Sequence, residues 1–172
     1  MAEGLAALRL LVVDDNPQMR TIVGTVLKAA GIRDLHYAPN GRVAWHGLAE
    51  IKPDICFVDY EMPVMNGLDF LSIVRGLNSP LRFMPVIMLT GHSDELRLTA
   101  ARDRGVNEFL AKPVSARTIL MRLHAVIMRP RPFVTSESYF GPDRRRRTTP
   151  SFAGPFRRAE DRVPDRREVF EL

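Results

Sequence analysis

The chain has 172 residues, 45% of them hydrophobic and 26% charged, with a formal net charge of +5. That suits one packed domain of ordinary size plus an appendage. The lone cysteine, Cys56, excludes any disulfide framework within the chain, sits in the apolar run "ICFV" as a core thiol, and fits a reducing, cytoplasmic setting. The apolar runs are strand-length, and Asp14 and Asp15 cut the first one short, so neither a membrane span nor a signal peptide is expected. The charge is uneven: residues 129–172 hold eleven arginines, no lysine and seven acids. The basic character, and with it any anionic partner, belongs to that tail.

In chain order, "LRLLVV" (8–13) reads as a buried strand. Asn16 then caps a helix with Pro17 at its first position, where a missing N–H costs nothing, and Gly31 ends it. "LHYA" (35–38) is a second strand, and Asn40 caps a helix to about Glu50. "DICFV" (54–58) is a third strand, followed by the loop "DYEMPVMNG" and a helix from about Leu68 to Leu77. "PVIML" (85–89) is the fourth strand; Ser93 caps a helix to about Arg104, and Gly105 stops it. "EFLA" (108–111) is the fifth strand, Ser115 caps a last helix to about Met128, and Pro130 forbids its continuation.

Strands without clean polar alternation, each followed by a helix, predict an α/β fold: a (βα)₅ doubly wound parallel sheet covered on both faces. The expected division is a domain at 1–129 and an arginine- and proline-rich tail at 130–172. The tail holds six of the 13 prolines, few aliphatic residues and no sustained period, and so reads as largely disordered. It carries an imperfect repeat, "GPDRR" at 141–145, "GPFRR" at 154–158 and "PDRR" at 164–167.

In a doubly wound sheet, ligand chemistry sits at the carboxyl ends of the strands. The first strand ends in Asp14 and Asp15, the third in Asp59, the fourth in Thr90 and the fifth in Lys112. In strand order 2-1-3-4-5 these four strands are contiguous, so the five side chains converge. Three carboxylates at close range repel, and a divalent cation resolves the conflict; an all-oxygen donor set favours Mg²⁺. Lys112 and the Thr90 hydroxyl supply what a phosphoryl group needs, a cation and a donor. The set suits phosphoryl transfer onto a carboxylate, with Asp59, central at the end of strand 3, as the nucleophile. His36, His46 and His124 show no metal spacing, and Trp45 reads as packing.

The motifs "VVDDN", "FVDYEMPVMNG", "MLTG" and "FLAKP" resemble those of the CheY-like, flavodoxin-like receiver domain of two-component response regulators, over about residues 8–128. The resemblance implies that Asp59 accepts a phosphoryl group from a histidine kinase or phosphotransfer protein, and that the protein is a phosphoacceptor, not an enzyme in the ordinary sense. It implies Asp14, Asp15 and Asp59 as Mg²⁺ ligands, with the backbone carbonyl of Glu61. It implies Thr90 and Lys112 as phosphoryl-binding groups, Phe109 as the aromatic switch and a cis Lys112–Pro113 bond. His92 and Glu61 fall at positions that modulate dephosphorylation in that family. The face built by the helix after strand 4, strand 5 and the last helix would change on phosphorylation and meet a downstream protein.

No conventional output domain is read after Arg129. An alternative is a constitutive adaptor or second-messenger effector, acting through the tail in motility or attachment. "RAED" (158–161) and "RVPD" (162–165) have the R-x-x-D spacing by which several proteins hold cyclic di-GMP, which makes Arg144, Arg145, Arg158, Asp161, Arg162 and Asp165 candidate ligand residues. Interspersed acids argue against DNA or RNA.

Overall fold

A computed structural model describes residues 2–91, 95–136 and 138–144. Five parallel strands, β1 (Arg9–Val13), β2 (Asp34–Ala38), β3 (Ile55–Asp59), β4 (Val86–Thr90) and β5 (Glu108–Ala111), form one sheet in the order β2-β1-β3-β4-β5. The helices are α1 (Ala2–Ala6), α2 (Pro17–Ala29), α3 (Gly41–Ile51), α4 (Gly67–Val74), α5 (Glu95–Asp103) and α6 (Ala116–Met128). This is the expected (βα)₅ sheet, with α1 added in front of it.

Strand alternation sorts the core into two layers. Leu10 and Val12 of β1 and Phe57 of β3 pack with Val23 and Leu27 of α2 and Ile119 and Leu123 of α6. Leu11, Val13, Cys56 and Val58 point the other way, onto Leu48 of α3, Phe70 and Leu71 of α4 and Ala101 of α5. All five residues of β3 and of β4 are buried, and β3 is the middle strand of the sheet. Each fully buried Leu or Phe contributes about 1.5–3 kcal/mol, which makes these two layers the main support of the strand ends.

Helix entries follow the capping residues. Asn16, Asn40, Asn66 and Ser115 each accept a hydrogen bond from a backbone N–H of the first turn, worth about 1 kcal/mol apiece. Ser93, the expected cap of α5, lies outside the described residues.

Helix α4 ends at Val74, three residues before the expected Leu77, with Arg75 as its C-cap and Gly76 directly after it. The Arg75 side chain turns inward and is 6% exposed. Nε donates to the Gly105 carbonyl at 2.9 Å, Nη1 to the carbonyls of Arg82 and Met84 at 2.8 Å each, and Nη2 to Asn107 Oδ1 at 2.8 Å. Burial lowers its pKa to about 10. The guanidinium fork thereby ties the end of α4 to the segments that lead into β4 and β5.

The tail reading needs one correction. Composition places no element after Pro130, yet β6 (Phe133–Ser136) and β7 (Tyr139–Pro142) form an antiparallel hairpin. It docks at the end of the sheet opposite Asp59. Phe133 and Phe140, on one face, lie 5.3 Å from Phe83, ring centre to ring centre, and 5.4 Å from each other. Arg82 stacks 3.7 Å over Phe140, and Arg75 lies 5.1 Å from the Phe133 centroid. On the other face Gly141 meets Gly105 so closely that a Cβ on it would lie 2.6 Å from the Gly105 Cα. Asp143 N–H donates to the Pro132 carbonyl at 2.8 Å and closes the base. Arg131 pairs with Glu108 of β5 at 2.9 Å, and Arg144 with Asp103, the last residue of α5, at 3.0 Å. The hydrophobic and glycine contacts hold the hairpin; the exposed Arg144–Asp103 pair adds little, and the part-buried Arg131–Glu108 pair ties the entry of the hairpin to β5.

Gly105 has φ +85°, and a Cβ there would lie 2.8 Å from the Phe140 carbonyl oxygen. The substitution Gly105→Ala is therefore expected to cost about 1–3 kcal/mol, read as a lower urea midpoint. Phe140→Ala should cost about 2 kcal/mol and speed amide exchange in 133–136 before the sheet.

Candidate functional site

β1, β3, β4 and β5 deliver their last residues, or the residues just after them, to one edge of the sheet. Asp14 follows β1; its N–H donates to the Ala38 carbonyl at 3.2 Å, and its Oδ1 accepts from Asn16 N–H at 2.8 Å. Asp59 is the last residue of β3, in register with Leu89. Thr90 closes β4, and its carbonyl accepts from Lys112 N–H at 2.8 Å, which fixes where Lys112 leaves β5. The Lys112–Pro113 bond is cis.

Oxygens of Asp14, Asp15 and Asp59 lie within 4.8 Å of one another. Asp14 and Asp59 are buried and Asp15 is exposed. Lys112 Nζ reaches Asp59 Oδ2 at 2.9 Å and Asp14 Oδ2 at 3.3 Å. Burial raises the pKa of Asp59, and Asp14 adds to this, while the hydrogen bond from Lys112 opposes it. Burial works against the Lys112 ammonium, but Asp59 and Asp14 outweigh it and its pKa is raised. One ammonium thus serves two buried carboxylates, and negative charge is left over.

The loop after β3 is shaped by Gly67. A Cβ there would lie 2.2 Å from the Asp59 carbonyl oxygen, and its N–H donates to the Tyr60 carbonyl at 3.0 Å. Only glycine lets α4 start this close to the acceptor. Val64, in the same loop, has φ 71°, a strained value for a β-branched residue. Two hollows flank the acceptor. One, of about 480 Å³, is open and lined by Asp15, Tyr60, Glu61, Met62 and Asn66. The other, of about 100 Å³, holds Asp59, Glu61, Thr90, Arg97 and Lys112.

The structure therefore brings Asp14, Asp15, Asp59, Thr90 and Lys112 together. Phe109 of β5 is half-buried, packed against the layer of α3–α5 and in register with Met88. The Glu61 side chain is exposed and pairs with Arg97. His92 lies outside the described residues, as do Arg145, Arg158, Asp161, Arg162 and Asp165. Arg144 is engaged, paired with Asp103 and stacked 3.9 Å over Tyr139. Trp45 packs against the core, and His36 pairs with Asp34 at 2.7 Å. Arg97 is the site residue that sequence reasoning missed; its only sequence signal is a place in the first turn of a helix that follows a strand end.

An all-oxygen cluster of three carboxylates, with two of them buried and one cation between them, fits a small hard divalent ion. Asp14, Asp15 and Asp59 are the groups that would hold Mg²⁺.

Residues 10–124 match the family model of the response regulator receiver domain. Chemotaxis protein CheY1 of Helicobacter pylori is 34% identical over 121 residues, which cover 70% of this chain and 97% of CheY1. The DNA-binding response regulator MtrA of Mycolicibacterium smegmatis is 28% identical over 121 residues, 70% of this chain and 51% of MtrA. The solved structure of the chemotaxis response regulator CheY4 of Vibrio cholerae superposes with a TM-score of 0.65 at 31% identity, over 70% of this chain and 98% of CheY4. Among the described residues no helix is long and apolar enough to cross a membrane.

Mg²⁺ at 100 times its dissociation constant is expected to stabilise the fold by about 2.7 kcal/mol, read from urea unfolding with and without EDTA. Asp15→Ala, at an exposed position, should leave the metal-free midpoint within about 0.5 kcal/mol and abolish most of that gain.

Proposed function

The chain belongs to the response regulator receiver family, and on that footing we propose that it is the phosphoacceptor of a two-component relay, loaded on Asp59 by a histidine kinase or phosphotransfer protein. The observation that carries this is the contact of the Asp59 carboxylate with Lys112 at 2.9 Å, beside Asp14, Asp15 and Thr90 at one strand edge.

The chemistry follows from those positions. An Asp59 oxygen attacks the phosphorus of a phosphohistidine; the O–P bond forms, the P–N bond breaks, and the imidazole leaves with a proton from solvent. Bound Mg²⁺ would neutralise phosphoryl oxygens during the transfer. Lys112 stays on the reacting oxygens as charge shifts onto them, and Thr90 donates its hydroxyl to the product. Burial keeps water sparse around the acceptor and strengthens both contacts.

The added charge and three acceptor oxygens pull on Thr90, and Phe109, the second residue of β5 and in register with Met88 of β4, repacks as Thr90 moves. The surface of α5, β5 and α6 is then read by a protein partner that prefers the phosphorylated form. The protein is a signalling phosphoacceptor, not an enzyme that turns over a substrate. Chemotaxis is the favoured setting, since CheY1 matches nearly end to end. The tail as a cyclic di-GMP site is the weaker reading, because Arg144, the described member of that residue set, is already held by Asp103 and Tyr139.

Incubated with Mg²⁺ and acetyl phosphate, the protein should gain one phosphoryl group by intact mass, and Asp59→Asn none. Lys112→Ala should slow loading by roughly 10²-fold. A phosphoryl group retained on Asp59→Asn would move the acceptor elsewhere.

A further inference from the structure

Arg97 stands in the first turn of α5 and forms part of the wall of the 100 Å³ hollow that also contains Asp59, Thr90 and Lys112. Its Nη1 pairs with Glu61 Oε1, and its guanidinium lies 5.5 Å from the Tyr60 ring centroid. Tyr60 and Glu61 are the two residues that directly follow Asp59. The arginine therefore spans from α5 to the loop that directly follows the acceptor, beside the acceptor's own hollow.

The Glu61 end of this pair is weak by nature. The two side chains are 67% and 49% exposed, so water screens their attraction and competes for both. A phosphoryl group on Asp59 would offer the same guanidinium something better: nearly two negative charges and three acceptor oxygens, inside a hollow with a partly buried wall. The planar fork of arginine binds two phosphoryl oxygens at once, which a single carboxylate in water cannot match. Lys112 does not remove this demand, since it is already shared between Asp14 and Asp59.

We propose that Arg97 is a second phosphoryl-binding residue, which exchanges Glu61 for the phosphoryl group when Asp59 is loaded, and that Glu61 is the competitor which sets how readily this exchange occurs. The proposal rests on the reading of Asp59 as the phosphoacceptor. Thr90 reports the phosphoryl group to β4 and the segment beyond it; Arg97 reports it directly to α5. The first turn of α5 is drawn toward Asp59 as the guanidinium changes partner. Glu61, released, is left in water.

The competition gives two substitutions opposite signs, which a merely structural strap would not. Beryllofluoride with Mg²⁺ serves as the phosphoryl probe, titrated into the full chain and followed by fluorine NMR. Glu61→Gln is expected to tighten binding by about twofold to fivefold, because the competing carboxylate is gone. Arg97→Gln should weaken it by about tenfold. Arg97→Lys, which keeps the charge and loses the fork, should fall between wild type and Arg97→Gln. The double variant should bind like Arg97→Gln, since Glu61 acts only through Arg97. The proposal is overturned if Arg97→Gln binds as wild type does, or if Glu61→Gln weakens binding as Arg97→Gln does. Wild type that fails to bind beryllofluoride removes the phosphoacceptor reading itself, and this inference with it. Unfolding curves with Mg²⁺ for each variant separate a folding defect from a binding defect.

Discussion

Asp14 and Asp59 are buried next to each other, and one ammonium, that of Lys112, reaches both. Most of the rest of the molecule is arranged around this imbalance. Two buried negative charges with one positive charge between them are tolerated because two hydrophobic layers hold β1 and β3 rigidly on either side. The cost shows in the raised pKa of Asp59, whose leading cause is burial. A site that is short of positive charge when empty attracts a divalent cation, and a cation in turn attracts a phosphoryl donor. The same deficit explains why Lys112 must leave β5 at a fixed point, locked by its backbone bond to Thr90.

The opposite end of the sheet shows a matching problem of the other sign. Arg75 is a buried cation with three carbonyls and an amide oxygen for partners. Carbonyl dipoles satisfy its hydrogen bonds without cancelling its charge, and its pKa falls to about 10. What that arrangement supplies is geometry: one side chain fixes the entries to β4 and β5 and offers a flat surface beside Phe133. The hairpin closes over it, so the Arg75 network and the docked aromatics depend on each other.

The five strand-end residues were legible because each strand is a short apolar run with an obvious stop, and the doubly wound rule says which end matters. The caps Asn16, Asn40 and Ser115 were legible for the same local reasons, whereas the sheet order is no local signal and came only with the doubly wound fold that the motifs resemble. The early end of α4 was not legible, because the hydrophobic period runs on to Leu77, and Leu77 is 82% exposed. Gly76, directly after the C-cap Arg75, is a local stop that the apolar period overrode, and the long-range bonds of the Arg75 side chain, which no local pattern reports, hold that end in place. The hairpin was missed for a similar reason. Its strands are four residues each, and proline and arginine dominate the composition around them. Its stability comes from Phe83, Arg82 and Gly105, all distant in sequence. A trace did exist in the β-branched and aromatic residues of "FVTS" and "YFGP", but four residues are too few for a period to decide. Arg97 was likewise one helical arginine among several until Glu61 and the hollow gave it a place.

Just past the C-terminal end of α5, Gly105 is wedged beneath Gly141, and the exposed pair of Asp103 with Arg144 lies beside it. From Arg97 to Asp103 is about 9 Å along the helix axis. A pull near the first turn therefore acts on a lever whose far end is a pivot. On the proposed exchange of partners at Arg97, such a helix would tilt more than slide, moving most beside Asp59 and least near the hairpin. Arg144, where the arginine run begins, thus sits at the end of α5 that such a movement would displace least.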